Sequence, residues 1–292
     1  MNVAGKTILI TGSTDGVGRR VAIELGAAGA TVLVHGRDLR RAELVIEEIR
    51  KAGNRTAMFY LADLSSLEQV RGLAATICRD HHRLDVLINN AGIGTASGGR
   101  QRRTSTDGYE LRFAVNYLAG FLLTRLLLPL IAASVPARIV NVASAGQSAI
   151  DFKDVMLTRS YDGGTAYTRS KLAQVMFTFD LARELEGSKV TVNCLHPATY
   201  MDTTMVRDGG ISPRSTVAQG AEAILELAVS PVLEGRTGFY FDRKRPAEAH
   251  PQAYDATARQ RLRALSFRLT GLSPASDRAE PPLERNVPWQ SS

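Results

Sequence analysis

Seven short runs rich in β-branched and apolar residues alternate with stretches of helical periodicity, and this alternation constrains the fold more than any other feature. The β-like runs are 7–11, 31–35, 57–61, 86–89, 139–143, 190–196 and 238–241. Helical patterns between them cover 17–28, 39–51, 67–81, 108–133, 167–185 and 216–228. Several runs are continuously apolar, as strands buried on both faces are. Strands separated by helices join through crossovers, so the expected class is α/β: a doubly wound parallel sheet of about seven strands with helices on both faces. Ligands of such sheets bind beyond the carboxyl ends of the strands.

The 292 residues suit a single domain, expected over 1–272 and including a helical extension from about 243. Within it, Leu262, Leu265 and Leu269 fall at helical spacing. The polar, proline-containing 273–292 reads as a disordered tail. A net charge of +7 raises nucleic acid as a partner. Nine basic and five acidic residues lie from Arg243 onwards, so +4 of the excess sits there, with a small cluster at Arg100, Arg102 and Arg103. No nucleic-acid motif accompanies them, and a solvated basic surface is expected instead. The apolar stretch 121–135 contains Arg125 and Pro129 and is too short to span a bilayer. The chain reaches its first β-like run at once, without a signal peptide. Cys78 and Cys194 fit neither a disulfide framework nor a metal site, which points to the reducing cytoplasm. His81 and His82 are adjacent and face different ways on a helix, so no metal is expected. His196 reads as structural.

Thr11-Gly12-Ser13-Thr14-Asp15-Gly16-Val17-Gly18 joins the first run to the first helix. Glycines there let the backbone turn sharply and approach a diphosphate, while the helix N-terminus offers free N–H groups and a favourable dipole. The placement favours a dinucleotide over a simple tight turn and makes the sheet Rossmann-type. The second run ends His35-Gly36-Arg37-Asp38. An NAD-selective site usually has an acid at that strand end; here Gly36 is followed by Arg37, whose guanidinium can pair with a 2′-phosphate. NADP(H) is therefore expected over NAD(H), although Asp15 adds a negative charge to the loop. Arg37 is equally a helix-start surface residue, and Asp38 an N-cap. Asp63-Leu64 follows the third run: Asp63 either accepts from the adenine amino group or caps the next helix. Asn90, Ala91 and Gly92 follow the fourth run, where small residues let the backbone pass close to the cofactor.

Tyr167-Thr168-Arg169-Ser170-Lys171 puts a phenol and an ammonium on one helical face. A lysine there favours the phenolate and lowers the tyrosine pKa from about 10, so the pair can exchange a proton with a carbonyl oxygen near neutral pH. Tyr161 competes as a phenol, but no lysine follows it four residues later.

Taken together, these motifs resemble the short-chain dehydrogenase/reductase family. TGSTDGVG at 11, NNAG at 89, Asn116, RIVNVAS ending at Ser144 and YTRSK at 167 occur in the family's order. SKLAQVMFTFDLARELEG at 170, VTVNCLHPA at 190 and a long interval from Ser144 to Tyr167 are similar to its retinol-dehydrogenase-like branch. The extra segment 151–164, with DFKDV, would flank the mouth of the site. The resemblance implies a catalytic tetrad of Asn116, Ser144, Tyr167 and Lys171. Tyr167 is then the acid in carbonyl reduction and the base in alcohol oxidation. Ser144 donates to the carbonyl oxygen, Lys171 lowers the Tyr167 pKa and reaches the nicotinamide ribose, and Asn116 holds a relay water. The resemblance also offers the helix 108–133 and the Tyr167 helix as faces of a homodimer or homotetramer.

Two departures stand out. Ala143-Ser144 replaces the usual pair of serines. His196-Pro197-Ala198-Thr199-Tyr200-Met201-Asp202-Thr203 replaces Pro-Gly and a hydroxyl residue, leaving Pro197, Thr199 and Thr203 as the nicotinamide-side candidates. The segment 199–215 reads as a lid. The expected activity is hydride transfer between NADPH and the carbonyl or secondary alcohol of a hydrophobic small molecule, judged by the branch and by Met201, Met205 and Val206. The loop 95–106, with its arginines, leaves room for an anionic or polar substituent. A regulator that binds NADP(H) without turnover is the alternative.

Overall fold

The computed structural model describes residues 3–95 and 101–273. Arg100 and the tail beyond Ser273 lie outside the described residues. In chain order the elements are β1 (Thr7–Ile10), α1 (Gly16–Ala27), β2 (Thr31–Gly36), α2 (Leu39–Lys51), β3 (Met58–Leu61), α3 (Leu67–Asp80) and β4 (Val86–Asn89). A π-helical turn, Phe113–Leu118, then runs into α4 (Ala119–Ala132). β5 (Ala137–Val142), α5 (Gly163–Glu184), β6 (Val190–His196), α6 (Thr204–Asp208), α7 (Val217–Val229), β7 (Tyr240–Asp242), β8 (Arg245–Pro246) and α8 (Ala256–Thr270) complete them.

The strands form one sheet in the order β3-β2-β1-β4-β5-β6-β7-β8. All neighbours pair in parallel except β7 and β8. β8 adds to the seven runs expected; its two residues are too few to carry a period. Side chains alternate between the faces of each strand. Leu9, Leu33, Leu87, Ile139 and Val192 join the core beneath α3, α4, α5 and α8. Ile8, Ile10, Val32, Val34, Ile88 and Val140 join the core beneath α1, α2 and α7. The order reverses between β1 and β4, which opens a crevice at their carboxyl ends.

Two expectations change. The helix expected from 108 begins at Leu111, because Glu110 pairs with Thr104 in an isolated bridge and its carboxylate accepts from Phe113 N at 2.7 Å, as an N-cap does. The continuous helix Phe113–Ala132 is long and apolar enough to cross a bilayer, unlike the shorter stretch considered above, and 61% of that window is buried inside the fold. α8 lies on the faces of α4 and α5 that the resemblance offered to a second subunit. Phe267 packs edge-on against Phe121 at 5.4 Å, the Tyr117 hydroxyl meets Ser266, and Arg263 pairs with Asp180 and Glu184. The Arg125 guanidinium sits over Phe121, Phe177 and Phe267 at 5.2–5.9 Å.

Candidate active site

The Gly loop is built by mutual exclusion of side chains. Gly12 has φ +64°, and a Cβ there would lie 2.8 Å from Ala91 Cα. A Cβ on Gly18 would lie 2.3 Å from Asn90 Nδ2, and one on Gly36 2.5 Å from Thr14 Cγ2. The loop therefore nests between the ends of β2 and β4. Thr11 Oγ1 accepts from the N–H groups of Asn90 and Ala91, each at 3.0 Å. Asn90 Nδ2 donates back to the carbonyls of Thr11 and Gly12. Ser13 Oγ donates to Ile10 O at 2.8 Å and accepts from His35 N at 2.9 Å. The side chains of Ser13 and Asn90 thus shape the loop from within, while Thr14, Asp15 and Gly16 form its rim. Asp15 caps α1 by accepting from Gly16 N.

His35 escaped the sequence reading. Its Nδ1 accepts from Gly12 N at 3.1 Å, and burial pushes its pKa down to about 4, so a neutral imidazole props the loop. A lone polar residue inside the apolar run opposite the Gly loop was the available signal.

At the end of β2, Arg37 is 75% exposed and its Nη1 lies 3.9 Å from Asp63 Oδ2. Arg41, also unforeseen, reaches Asp15 Oδ2 at 3.3 Å, so the negative charge set against a 2′-phosphate is paired. Asp38 caps α2 by accepting from Arg41 N. Asp63 does not cap α3: Ser66 does, and Asp63 accepts from Ser65 N at 2.9 Å in a turn. The Leu64 side chain is buried in the core.

The tetrad residues converge beyond β4 and β5. Ser144 follows β5, and its Oγ accepts from Gly146 N at 3.1 Å, which leaves the hydroxyl proton to point elsewhere. The Ser144 hydroxyl lies close enough to the Tyr167 phenol to lower its pKa. Lys171 lies behind it, Nζ 5.8 Å from the Tyr167 ring centroid. Lys171 Nζ donates to Val142 O and to Gln174 Oε1, both at 2.9 Å. The expected influence of Lys171 on the phenol is not what sets it: burial raises the Tyr167 pKa, and the nearby Ser144 hydroxyl opposes the rise. Burial also lowers Lys171 itself, to about 7.

Asn116 lies in the π-helical turn, a widened turn often found at functional sites. Its Oδ1 accepts from Ile93 N at 2.7 Å, and Nδ2 donates to Ile93 O and Ser170 Oγ. A Cβ on Gly92 would lie 3.3 Å from Asn116 Oδ1 and 3.6 Å from Lys171 Nζ, so glycine lets both approach the β4 exit. Tyr161 is committed elsewhere: its hydroxyl meets Arg112 and Glu110, both buried. Arg112 also holds the carbonyls of Gly94 and Thr95, another contribution the sequence concealed.

The segment 199–215 lies beside the Gly loop. A Cβ on Gly16 would lie 3.3 Å from Thr203 Cγ2. Asp202 turns away to pair with Arg207 at 2.7 Å, and Thr199 Oγ1 meets His196 Nε2 at 3.0 Å beside Pro197. Thr203 thus turns its methyl toward the Gly loop, and its hydroxyl donates to Met201 O at 3.3 Å. Met205 reaches over Gly94, whereas Met201 packs against Gly220 of α7 and does not face the mouth as expected. Among the described residues no group of three metal-ligating side chains occurs.

Residues 6–210 match the short chain dehydrogenase family. Human retinol dehydrogenase 13 is 38% identical, over 96% of this chain and 88% of its own length. A protein of Mycobacterium paratuberculosis superposes with a TM-score of 0.74 at 30% identity, covering 92% of this chain and 94% of that one. The landomycin C-6 ketoreductase LanV, solved with bound NADP and rabelomycin, gives 0.65 at 27% identity, over 83% and 96% of the two chains. Motif order, sheet order and these likenesses agree: the chain belongs to the short-chain dehydrogenase/reductase family, in its retinol-dehydrogenase-like branch, and is an NAD(P)-dependent oxidoreductase.

Proposed function

We propose that the protein is an NADP(H)-dependent reductase of ketones or aldehydes carried by hydrophobic small molecules. The observation that carries this reading is the convergence of Tyr167, Lys171 and Ser144, with Lys171 Nζ 5.8 Å from the Tyr167 ring, at the same end of the sheet as the Gly loop. Gly12 and Gly36 let the loop pack tightly against Ala91 and Thr14, and the N-terminus of α1 that follows the loop fits a diphosphate. Thr14, Asp15, Gly16, Val17 and the backbone of Ala91 and Gly92 would hold the cofactor along the crevice. Arg37 and Arg41 would take a 2′-phosphate, and Asp63 the adenine. Thr203, with Pro197 and Thr199 behind it, would meet the nicotinamide side. A bound nicotinamide supplies the hydride.

The protein's own task is proton management. With Gly146 N–H engaging Ser144 Oγ, the Ser144 hydroxyl donates to the substrate oxygen and orients it. Tyr167, kept protonated by burial, delivers its proton to that oxygen as charge develops there. Lys171 favours the resulting phenolate. Asn116 fixes Ile93 and leaves a path past Gly92 toward solvent. A protonated Tyr167 at neutral pH suits reduction. LanV, a ketoreductase solved with bound NADP and rabelomycin, supports a ketone reductase reading. Self-association through α4 and α5 would have to displace α8, so α8 stands in for a partner there, in a cytoplasmic protein whose two cysteines are free.

The test is NADPH absorbance with a panel of ketones and aldehydes, wild type against Tyr167→Phe. Turnover in the wild type with a loss of at least about 10²-fold in Tyr167→Phe supports the mechanism. Equal turnover in both refutes it. Tight NADPH binding without turnover across the panel replaces it with the regulator.

A further inference from the structure

Gln147 joins the catalytic serine to the C-terminal extension. Its Nε2 donates to Ser144 O at 2.9 Å, and its Oε1 accepts from His250 N at 3.0 Å. The Ser144 carbonyl receives a second hydrogen bond, at 3.2 Å, from the buried Tyr240 hydroxyl of β7. Gln252 clamps the far end of the same loop. It accepts from Ile150 N at 2.7 Å and donates to Ile150 O at 3.1 Å. Gln252 is itself set by its N–H, which donates to His250 Nδ1 at 3.2 Å. The loop 144–150 is therefore pinned at both ends by residues 240–252.

The consequence falls on one hydroxyl. Ser144 lies just past the last β5 hydrogen bonds, so its carbonyl has no ladder to orient it. Two donors on that carbonyl fix the Ser144–Ala145 peptide plane, and with it the Gly146 N–H that engages Ser144 Oγ. Misplacement of a reacting group by about 1 Å costs up to about 10²-fold in rate. We propose that Gln147 is a positioning residue that couples the extension 245–254 to the Ser144 hydroxyl. This makes the extension part of the reaction apparatus as well as a cover for α4 and α5. The proposal rests on the reductase reading above.

Its test is a double-mutant cycle with steady-state kinetics, using NADPH and any ketone turned over by the wild type. Gln147→Ala is expected to lower kcat by about 10–100-fold while KM for NADPH stays within twofold. In a Ser144→Ala background the same change is expected to cost less than about twofold, because its route runs through Ser144. Gln147→Glu keeps the acceptor for His250 N–H but loses the donor to Ser144 O, and should behave like Gln147→Ala. Equal losses in both backgrounds would mean a general effect on folding and overturn the proposal. Hydrogen exchange needs no turnover: the Gly146 amide should exchange faster in Gln147→Ala and in Gln252→Ala. Unchanged protection in Gln147→Ala overturns the clamp alone, whereas a wild type that turns nothing over overturns the reductase reading.

Discussion

Single side chains decide which dinucleotide fits and at what pH the site holds. Arg37 and Arg41 flank the corner beyond Gly36, where an acid would select an unphosphorylated ribose. Arg37→Asp should therefore raise KM for NADPH more than KM for NADH; an unchanged ratio in paired titrations would remove Arg37 from the assignment. His35 titrates near 6.5 when unfolded and about 4 when folded. Between those values the unfolded chain binds more protons, so stability is full above pH 6.5 and is lost as pH falls toward 4, by up to about 3 kcal/mol. Urea unfolding at pH 7 and pH 5 should show this loss. His35→Asn, which offers an acceptor without titrating, should flatten it. The raised pKa of Tyr167 carries its own sign. Alcohol oxidation needs the phenolate and should accelerate as pH rises above neutral. Carbonyl reduction needs the phenol and should stay level through neutral pH. An oxidation rate that falls with alkalinity would contradict this. Asn116, Ser144, Tyr167 and Lys171 could be singled out from the sequence because residue type, spacing and order all coincide. His35, Arg112 and Gln147 were not, because each acts on a backbone group brought close only by the fold, and nothing in the neighbouring sequence marks the meeting.

At the scale of elements, boundaries follow capping chemistry more than hydrophobic pattern. α5 begins at Gly163, four residues before the expected start, because Asp162 accepts from Thr165 N. α3 begins where Ser66, not Asp63, supplies the cap. Strand positions were readable since five of the seven parallel strands, β1, β2, β4, β5 and β6, are buried on both faces, or nearly so. The π-helical turn was not, because 113–118 has ordinary helical composition; its widening is tied to the contacts of Asn116 with Ile93 and Ser170. Between β1 and α1, tolerance should be low. Gly12→Ala puts a Cβ 2.8 Å from Ala91 at a positive φ, and is expected to weaken NADPH binding by at least about tenfold in a fluorescence titration. Binding equal to wild type would mean that the β4 exit yields easily.

Across the whole molecule, α8 changes what α4 and α5 are for. The leucine spacing predicted a helix there, but not its docking site, since amphipathicity names a buried face and not its partner. Phe267, in contact with Phe121 and beneath Arg125 and Arg263, is the centre of that docking. Phe267→Ala should cost about 3–5 kcal/mol in denaturant unfolding and, by loosening α8, favour self-association in light scattering. A variant that keeps both its stability and its oligomeric state would show α8 to be a passive appendage.

The clamp on Ser144 also bears on synthesis. The phosphate cradle draws on residues 12–92, the reacting side chains on 116–171, and the ties that hold Ser144 on 240–252. A chain emerging from the ribosome thus brings out its Gly loop first and the ties on Ser144 last. A product stopped short of His250 would be able to capture a dinucleotide yet would lack the registration to use it efficiently.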